Sequence, residues 1–227
     1  MSQRPVINFI TGRFGWVDRQ HGLEARATTR VLSLADEFDY IDPGPLIDGE
    51  LELVPAAEAW LDAVMAAQNH PLTREQMPRD ADIPRQKQLN FLSRLEKGFD
   101  PGDEDGPQSP AYYFWMHQRG AVEYPIVGAI SLRLGRGVNI ERVVGHIGYH
   151  VYPFARGQHY AERACRLLIP LARLHRLIPL WITCNPENIP SRRTCERLGA
   201  EFLDIVPVPP NHPLHARGER EKCRFRL

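Results

Sequence analysis

Residues 151–168 read VYPFARGQHYAERACRLL, and this stretch carries the signal that decides the fold. It completes a β-branched and aromatic run, turns at Arg156 and Gly157, and continues into a helical pattern from about Ala161. A strand that turns directly into a helix directs unpaired backbone N–H groups and the positive end of the helix dipole at one point. The stretch therefore predicts a site for a phosphate or pyrophosphate group at this turn.

The turn differs from the familiar nucleotide-binding loops, because it contains neither GxxxxGK nor GxGxxG. These absences argue against P-loop and Rossmann-type nucleotide binding. Taken by itself, the stretch is interpreted equally well as a strand-to-helix turn that holds a glycine for its geometry alone.

The elements on either side predict a mixed α/β domain rather than a repeat protein. Alternating or β-branched runs predict strands over residues 50–54, 112–116, 126–134, 143–152, 179–184, 201–206 and 222–227. Helices are predicted from residue 55 (AAEAWLDAVMAAQ), over residues 84–97, over about 16 residues from residue 161, and over a short stretch ending at Gly199. The strands over 112–152 are separated by hairpin-like distances, which predicts an antiparallel meander. Pro170 lies within the long helix and predicts a kink or break there.

Composition excludes several classes of function. The chain has 227 residues, of which 43% are hydrophobic and 25% charged, as in soluble globular proteins. Lys plus Arg equals Asp plus Glu at 28 each, so the broad basic field of a nucleic-acid binder is missing and no nucleic-acid partner is expected. No apolar run suits a membrane span or a secretory signal, so we expect a cytoplasmic protein. The four cysteines show no CxxC spacing, which predicts free thiols and no metal site.

The first 48 residues lack a sustained period, and we predict an N-terminal extension over 1–48 and one domain over 49–227. A short amphipathic stretch, Val31, Leu34, Ala35 and Phe38, precedes the turn-forming run IDPGP. The extension is interpreted as an arm joined by a linker, which could serve a homodimer, or as a ragged terminus.

A second informative stretch, PLWITCNPENIPSRRTCERLGAEF, covers residues 179–202. Asn188 follows a predicted strand, Pro190 lies in the first turn of a helix, and Gly199 closes that helix. With the two stretches in this order, the chain resembles the GNAT superfamily of acyl-CoA-dependent N-acetyltransferases from about residue 50 to its end. The resemblance implies a mixed α/β fold with a mostly antiparallel sheet, in which a central pair of strands splays apart between flanking helices.

The resemblance rests on two family motifs. The cofactor turn Q/RxxGxG/A is matched by RGQHYA over residues 156–161, with His159 in place of the usual glycine. The motif NxxAxxxYxKxGF is met by Asn188, Ser191, Arg197 and Gly199, whereas Cys195 stands for the usual tyrosine and Ala200 for the phenylalanine.

The resemblance also implies the cofactor and its contacts. Gly145 and Gly148 in VVGHIGYHV indicate a bulge or a close backbone approach, and in the family the pantetheine arm of coenzyme A lies along this splayed strand. Acetyl-CoA is the implied co-substrate, without a metal. The implied cofactor-binding residues are Tyr149, His150, Val151, Arg156, Gly157, Gln158, His159, Tyr160, Ala161 and Asn188.

The implied reaction is direct transfer of an acetyl group to a primary amine of a small molecule or peptide. His146 is the predicted water-mediated general base, and Cys195 is the residue that could protonate the leaving thiolate. A structural imidazole and a plain buried cysteine are the competing interpretations, and Asn188 could equally be a helix cap. A coenzyme A-binding or sensing module without turnover is the alternative function. A thiol hydrolase built on Cys184 or Cys195 is a third.

Overall fold

The structure, a computed structural model, describes residues 40–96 and 110–227, together with two short strands near the N-terminus. These strands, β1 (Val6–Ile7) and β2 (Phe14–Gly15), pair antiparallel. The amphipathic stretch predicted between Val31 and Phe38 lies outside the described residues, as does Lys97 at the end of the second predicted helix.

One sheet of eight strands forms the centre of the molecule, in the order β3-β4-β5-β6-β7-β8-β10-β9. Its strands are β3 (Ile47–Asp48), β4 (Leu51–Pro55), β5 (Ala111–Gln118), β6 (Ile126–Arg133), β7 (Ile147–Val151), β8 (Trp181–Cys184), β9 (Glu201–Pro207) and β10 (Glu221–Arg226). Neighbours pair antiparallel except β7 and β8, which are parallel. The predicted mixed α/β class and the meander β5-β6-β7 are confirmed.

Helices cover both faces of the sheet and enclose two apolar clusters. They are α1 (Leu61–Gln68), α2 (Pro71–Gln76), α3 (Arg85–Glu96), α4 (Tyr160–Leu174), α5 (Ile189–Arg197) and α6 (Pro213–Ala216). Side chains of α4, including Leu168 and Leu171, pack against one face of the sheet. Side chains of α1 and α3, including Val64 and Leu92, pack against the other. Among the described residues, none of the helices combines the length and apolarity that crossing a bilayer requires.

The residues before the domain boundary predicted at residue 49 take part in this sheet. β3 pairs with β4, and Arg163 of α4 donates to the Asp48 carboxylate at 2.7 Å and to the Glu50 carboxylate at 2.6 Å. The backbone N–H of Ile41 donates to the Tyr112 hydroxyl at 2.6 Å. Residues 40–48 therefore belong to the same packed unit as the strands that follow them.

Two predicted elements differ from the structure. Of the kink or break predicted at Pro170, the break is absent, because α4 runs without interruption from Tyr160 to Leu174. Pro170 lies on the exposed side of α4, where the carbonyl one turn earlier, left without a helical donor, can bind water. The strand predicted from residue 143 begins only at Ile147. Residues 140–144 form a π-helical turn, and Gly145 follows with a φ of 69°.

Gly145 brings the chain into close contact with β8. A Cβ atom at this position would lie 3.0 Å from the Thr183 nitrogen and 3.2 Å from the Trp181 oxygen. The positive φ and the close approach both require glycine, since a side chain would force the two backbones apart.

Beyond this contact, β7 and β8 separate. The His146 N–H donates to the Trp181 carbonyl at 2.7 Å, and the strands pair at a single position, Ile147 with Ile182. β7 continues to Val151 and β8 to Cys184 without further pairing between them. The result is the splayed central strand pair that the resemblance to the GNAT superfamily implied.

Candidate functional site

Beyond the splay, no other described strand pairs with the backbone groups of β7 on the side facing β8. The Arg133 N–H donates to the His146 carbonyl, and residues of an antiparallel ladder alternate between bonded and unbonded sides. This alternation directs the backbone of His150 toward β6, where it lies opposite Ala129. It leaves the N–H and C=O groups of Tyr149 and Val151 directed into the opening. Two of the three strand residues predicted to hold pantetheine thus offer free backbone, whereas the backbone of His150 is committed to the sheet.

The turn before α4 supplies the second part of the site. Gly157 has a φ of 87° and open space around the position of a Cβ atom, and His159 is the N-cap in the left-handed conformation, with φ 56° and ψ 21°. His159 therefore adopts the backbone conformation for which the family motif uses glycine. The first N–H groups of α4, at Tyr160 and Ala161, have no partner within the helix and point out of its N-terminus.

A groove of about 670 Å³ joins the splay to this turn. Three arginines line it, Arg156 from the turn and Arg193 and Arg197 from α5. Positive side chains and a helix N-terminus around one groove favour a ligand with several phosphate groups. The groove brings together every predicted cofactor residue except Gln158, which is exposed in the same turn: Tyr149, His150, Val151, Arg156, Gly157, His159, Tyr160, Ala161 and Asn188.

Asn188 satisfies both interpretations that the sequence left open. Its side-chain oxygen accepts the Ser191 N–H at 3.1 Å and caps α5, while the residue also lines the groove. The amide nitrogen of a capping asparagine remains a free donor. Asn188 can therefore hold α5 in place and donate to a ligand at the same time.

A pair of hydroxyl groups lies where β7 meets α5. The Tyr149 hydroxyl and the Ser191 hydroxyl are 2.8 Å apart, and both residues line the groove. Burial raises the pKa of Tyr149 above its usual value, so the phenol keeps its proton at neutral pH. Ser191 matched the family motif in sequence, but its partner on β7 is visible only in the structure.

Cys195 does not reach the groove. Its side chain is fully buried, and its thiol bonds to that of Cys184. This hydrogen bond and burial raise the pKa of Cys195, so the thiol remains protonated. The burial agrees with the interpretation of Cys195 as a core residue, and its predicted role as a proton donor stays a prediction.

His146 is buried at the vertex of the splay. Its Nδ1 accepts the Trp181 N–H at 2.9 Å, and its ring also bonds to the backbone of Gly135. Burial lowers its pKa from about 6.5 to about 4, so the imidazole is neutral and engaged on both sides. His146 lines neither the groove nor the second cavity. The geometry is that of a structural imidazole.

A second cavity, of about 780 Å³, lies on the opposite face of the sheet, under α3. Its lining residues include His150 of β7 and Tyr152 directly after it, Tyr113 and Trp115 of β5, and Asp80 before α3. His150 lines the groove as well, so the two cavities meet at this residue. Burial lowers the pKa of His150, and the Asp80 carboxylate opposes that shift.

Sequence reasoning missed the second cavity and its Asp80. Asp80 belongs to a polar connection between two helices, where one carboxylate among many gives no signal in sequence. Arg193 was missed for a similar reason, because it is one of many arginines in the chain. Among the described residues, no group of three or more His, Cys, Asp or Glu side chains could hold a metal ion.

Residues 50–201 match the family model described as an acetyltransferase (GNAT) domain. No curated protein sequence matches the chain.

Several solved structures share the fold. An acetyltransferase of the GNAT family from Bacillus anthracis has 18% identity and a TM-score of 0.55, over 81% of this chain and 98% of its own. The microcin C7 self-immunity acetyltransferase, solved with acetyl-CoA and AMP, has 15% identity and a TM-score of 0.56, over 79% and 93%. The ribosomal-protein-S5-alanine acetyltransferase from Vibrio fischeri has 15% identity and a TM-score of 0.54, over 81% and 96%. At these identities the likeness establishes the fold.

The buried His146 predicts a pH dependence of stability. Its folded pKa of about 4 lies below the ordinary value, so the unfolded chain binds the proton more tightly and stability falls as pH drops from about 6.5 to 4. The expected loss is about 3 kcal/mol in the free energy of unfolding. Urea unfolding of the wild type and of His146→Asn from pH 4 to pH 8 measures it. The difference between the two proteins should be largest at pH 7 and shrink toward pH 4; a constant difference would contradict a buried neutral imidazole.

Proposed function

Because the chain belongs to the GNAT acetyltransferase family, we propose that it transfers the acetyl group of acetyl-CoA to a primary amine by direct attack in a ternary complex. One observation carries the proposal: His150 lines both the groove with the phosphate-binding features and the cavity across the sheet. The acetyl donor bound in the groove and the amine acceptor bound in the cavity would come together at this residue.

The two ends of the groove carry groups that suit the two parts of acetyl-CoA, its phosphates and its pantetheine arm. Its phosphates would lie at the N-terminus of α4, near Arg156, Arg193 and Arg197. Its pantetheine amides would pair with the free backbone groups of Tyr149 and Val151, as an added strand does. The structural neighbour solved with acetyl-CoA supports this donor.

The proposed step is nucleophilic attack on the thioester. The amine lone pair forms the new C–N bond, the carbonyl becomes an oxyanion, and the free N–H groups of β7 stabilise that charge. The C–S bond then breaks and its electron pair leaves with sulfur. The neutral imidazole of His150, directly or through a water molecule, accepts the proton that the amine loses.

The leaving thiolate needs a proton, and the hydroxyl pair is the nearest source in the groove. We assign donation to the Ser191 hydroxyl, with the Tyr149 hydroxyl passing its own proton to Ser191 at the same time across their 2.8 Å hydrogen bond. His150 releases the amine's proton to solvent and Tyr149 regains one from solvent, so neither hydroxyl stays ionised after the step. Cys195, the donor predicted from sequence, is fully buried and does not line the groove. His146, the predicted base, is assigned instead to holding β7 against β8.

The acceptor is a primary amine. One neighbour is named for a ribosomal protein and another for microcin C7 self-immunity, so the fold alone favours neither a protein acceptor nor a small-molecule acceptor. The cytoplasmic location, the homodimer and the lack of a nucleic-acid partner stay predictions from the sequence.

Substitution at the α4 turn tests the donor site. Gly157→Glu places a negative charge where the phosphates are proposed to bind, so the Kd for acetyl-CoA should rise at least 30-fold in calorimetric titration. Gly157→Ala is the matched control, because it meets the same positive φ without a charge and should raise the Kd less than fivefold. Equal losses in both variants, or none in either, would contradict the phosphate site. Tight binding without acetylation of any amine would favour the non-catalytic module.

Replacement of His150 tests the proposed base. His150→Gln should lower kcat about 100-fold, the usual share of a general base, while the Kd for acetyl-CoA changes less than threefold. Because burial lowers the His150 pKa, the wild-type rate should stay high below pH 6.5 and fall only at lower pH, as the imidazole becomes protonated.

The matched control is His117→Gln on β5, outside both cavities, which should keep its rate within twofold. A His150→Gln enzyme that keeps a third or more of the wild-type rate would exclude His150 as the base.

A further inference from the structure

The cavity beneath α3 contains opposite charges that do not pair with each other. Asp80 is partly buried, and its carboxylate makes no ion pair or hydrogen bond with a described residue. Lys87, on the first turn of α3, lines the same cavity and likewise has no partner in the described part of the chain. The Asp80 carboxylate and the Lys87 ammonium group line one cavity without forming an ion pair, so a ligand in the cavity can contact both.

The acidic side of the cavity lies at the reacting end. The charge of Asp80 acts on both His150 at the end of β7 and Tyr152 directly after that strand, and both residues line the cavity. Most amines reach an enzyme as ammonium ions, so a carboxylate beside the proposed base would attract the ion before the base removes its proton.

The basic side lies along α3. Lys87 and Arg94 are seven residues apart, which is two helical turns, and both line the cavity from the same face of the helix. A second ammonium group on the acceptor would be repelled there, whereas a carboxylate would be attracted. The far side of the cavity therefore favours an anionic group and disfavours a polyamine.

The wall between the two charges is aromatic. Phe91 and Tyr113 are in edge contact with ring centroids 5.1 Å apart, and Tyr113 and Trp115 are 5.2 Å apart. The amides of Gln68 and Gln88 bond to each other at 2.7 Å, so these two lining groups are already satisfied. An apolar or aromatic portion of a ligand fits against such a wall.

We infer that the acceptor is a small amphoteric monoamine, with its ammonium group at Asp80 and His150, an apolar middle against the aromatic wall, and a carboxylate at Lys87. This inference rests on the proposed acetyl transfer and names the class of its acceptor. The cavity of about 780 Å³ is within the range of small-molecule sites. Asp80 and Lys87 are its specificity-determining residues.

Matched amines that differ only in the carboxylate provide the test. 4-(2-Aminoethyl)benzoate is compared with phenethylamine and 6-aminohexanoate with pentylamine, at saturating acetyl-CoA, by release of free coenzyme A. The wild type should show at least a tenfold higher kcat/KM for the carboxylate-bearing member of at least one pair. Acetylation of both members at equal rates in both pairs would overturn the inference while leaving acetyl transfer in place.

Variants of Lys87 and Asp80 test whether these two charges cause the preference for a carboxylate-bearing amine. Lys87→Glu should reduce the carboxylate preference at least tenfold, whereas Gln86→Glu, one position away on α3 and outside the cavity lining, should preserve it. Asp80→Asn should raise KM at least tenfold for both members of the preferred pair, with an unchanged Kd for acetyl-CoA. An unchanged preference in Lys87→Glu would overturn the assignment.

Binding is measured separately from turnover, by calorimetric titration of 4-(2-aminoethyl)benzoate and 6-aminohexanoate into the protein loaded with coenzyme A. Binding that Lys87→Glu abolishes, without acetylation of any amine, would support the cavity's ligand class and contradict the proposed acetyl transfer. Failure of both carboxylate-bearing amines to bind or react, with phenethylamine or pentylamine acetylated, would overturn the inference alone.

Discussion

The contact between His146 and Trp181 determines the point beyond which the neighbouring strands β7 and β8 no longer pair. The backbone and the ring of His146 both bond to the backbone of Trp181, and Gly145 allows the two chains to approach that closely. One residue later β7 and β8 pair for the last time. Every feature of the proposed site lies beyond this vertex, because only an unpaired strand edge can offer backbone groups to a ligand.

The site forms where the opened edge meets two helix N-termini. α4 begins at the left-handed His159 and α5 at the capping Asn188, and both line one groove with the free edge of β7. The same strand alternates its side chains between the faces of the sheet. Tyr149 therefore faces α5 and the proposed leaving group, while His150 faces the cavity under α3. A single strand thus connects the donor site to the acceptor site.

The sequence predicted the elements that depend on local chemistry. The turn at Gly157, the meander and the short helix that ends before Gly199 were predicted from glycine placement and periodicity, and the structure confirms them. What depends on tertiary packing was not predictable. A histidine on a strand looks the same in sequence whether its ring bonds to a neighbouring backbone, as His146 does, or lines a cavity, as His150 does. The proposed role of the Asp80 carboxylate likewise depends on the packing of α3, whose residues line the same cavity.

The central claim is that acetyl-CoA occupies the opening between β7 and β8 with its phosphates at α4. Hydrogen–deuterium exchange, followed by mass spectrometry with and without acetyl-CoA, tests it most directly because it reports on the backbone N–H groups themselves. The account predicts slower exchange in peptides that cover residues 149–151 and 156–161, and no change in the β9–β10 hairpin. Protection confined to other segments, or exchange that saturating acetyl-CoA leaves unchanged, would contradict it.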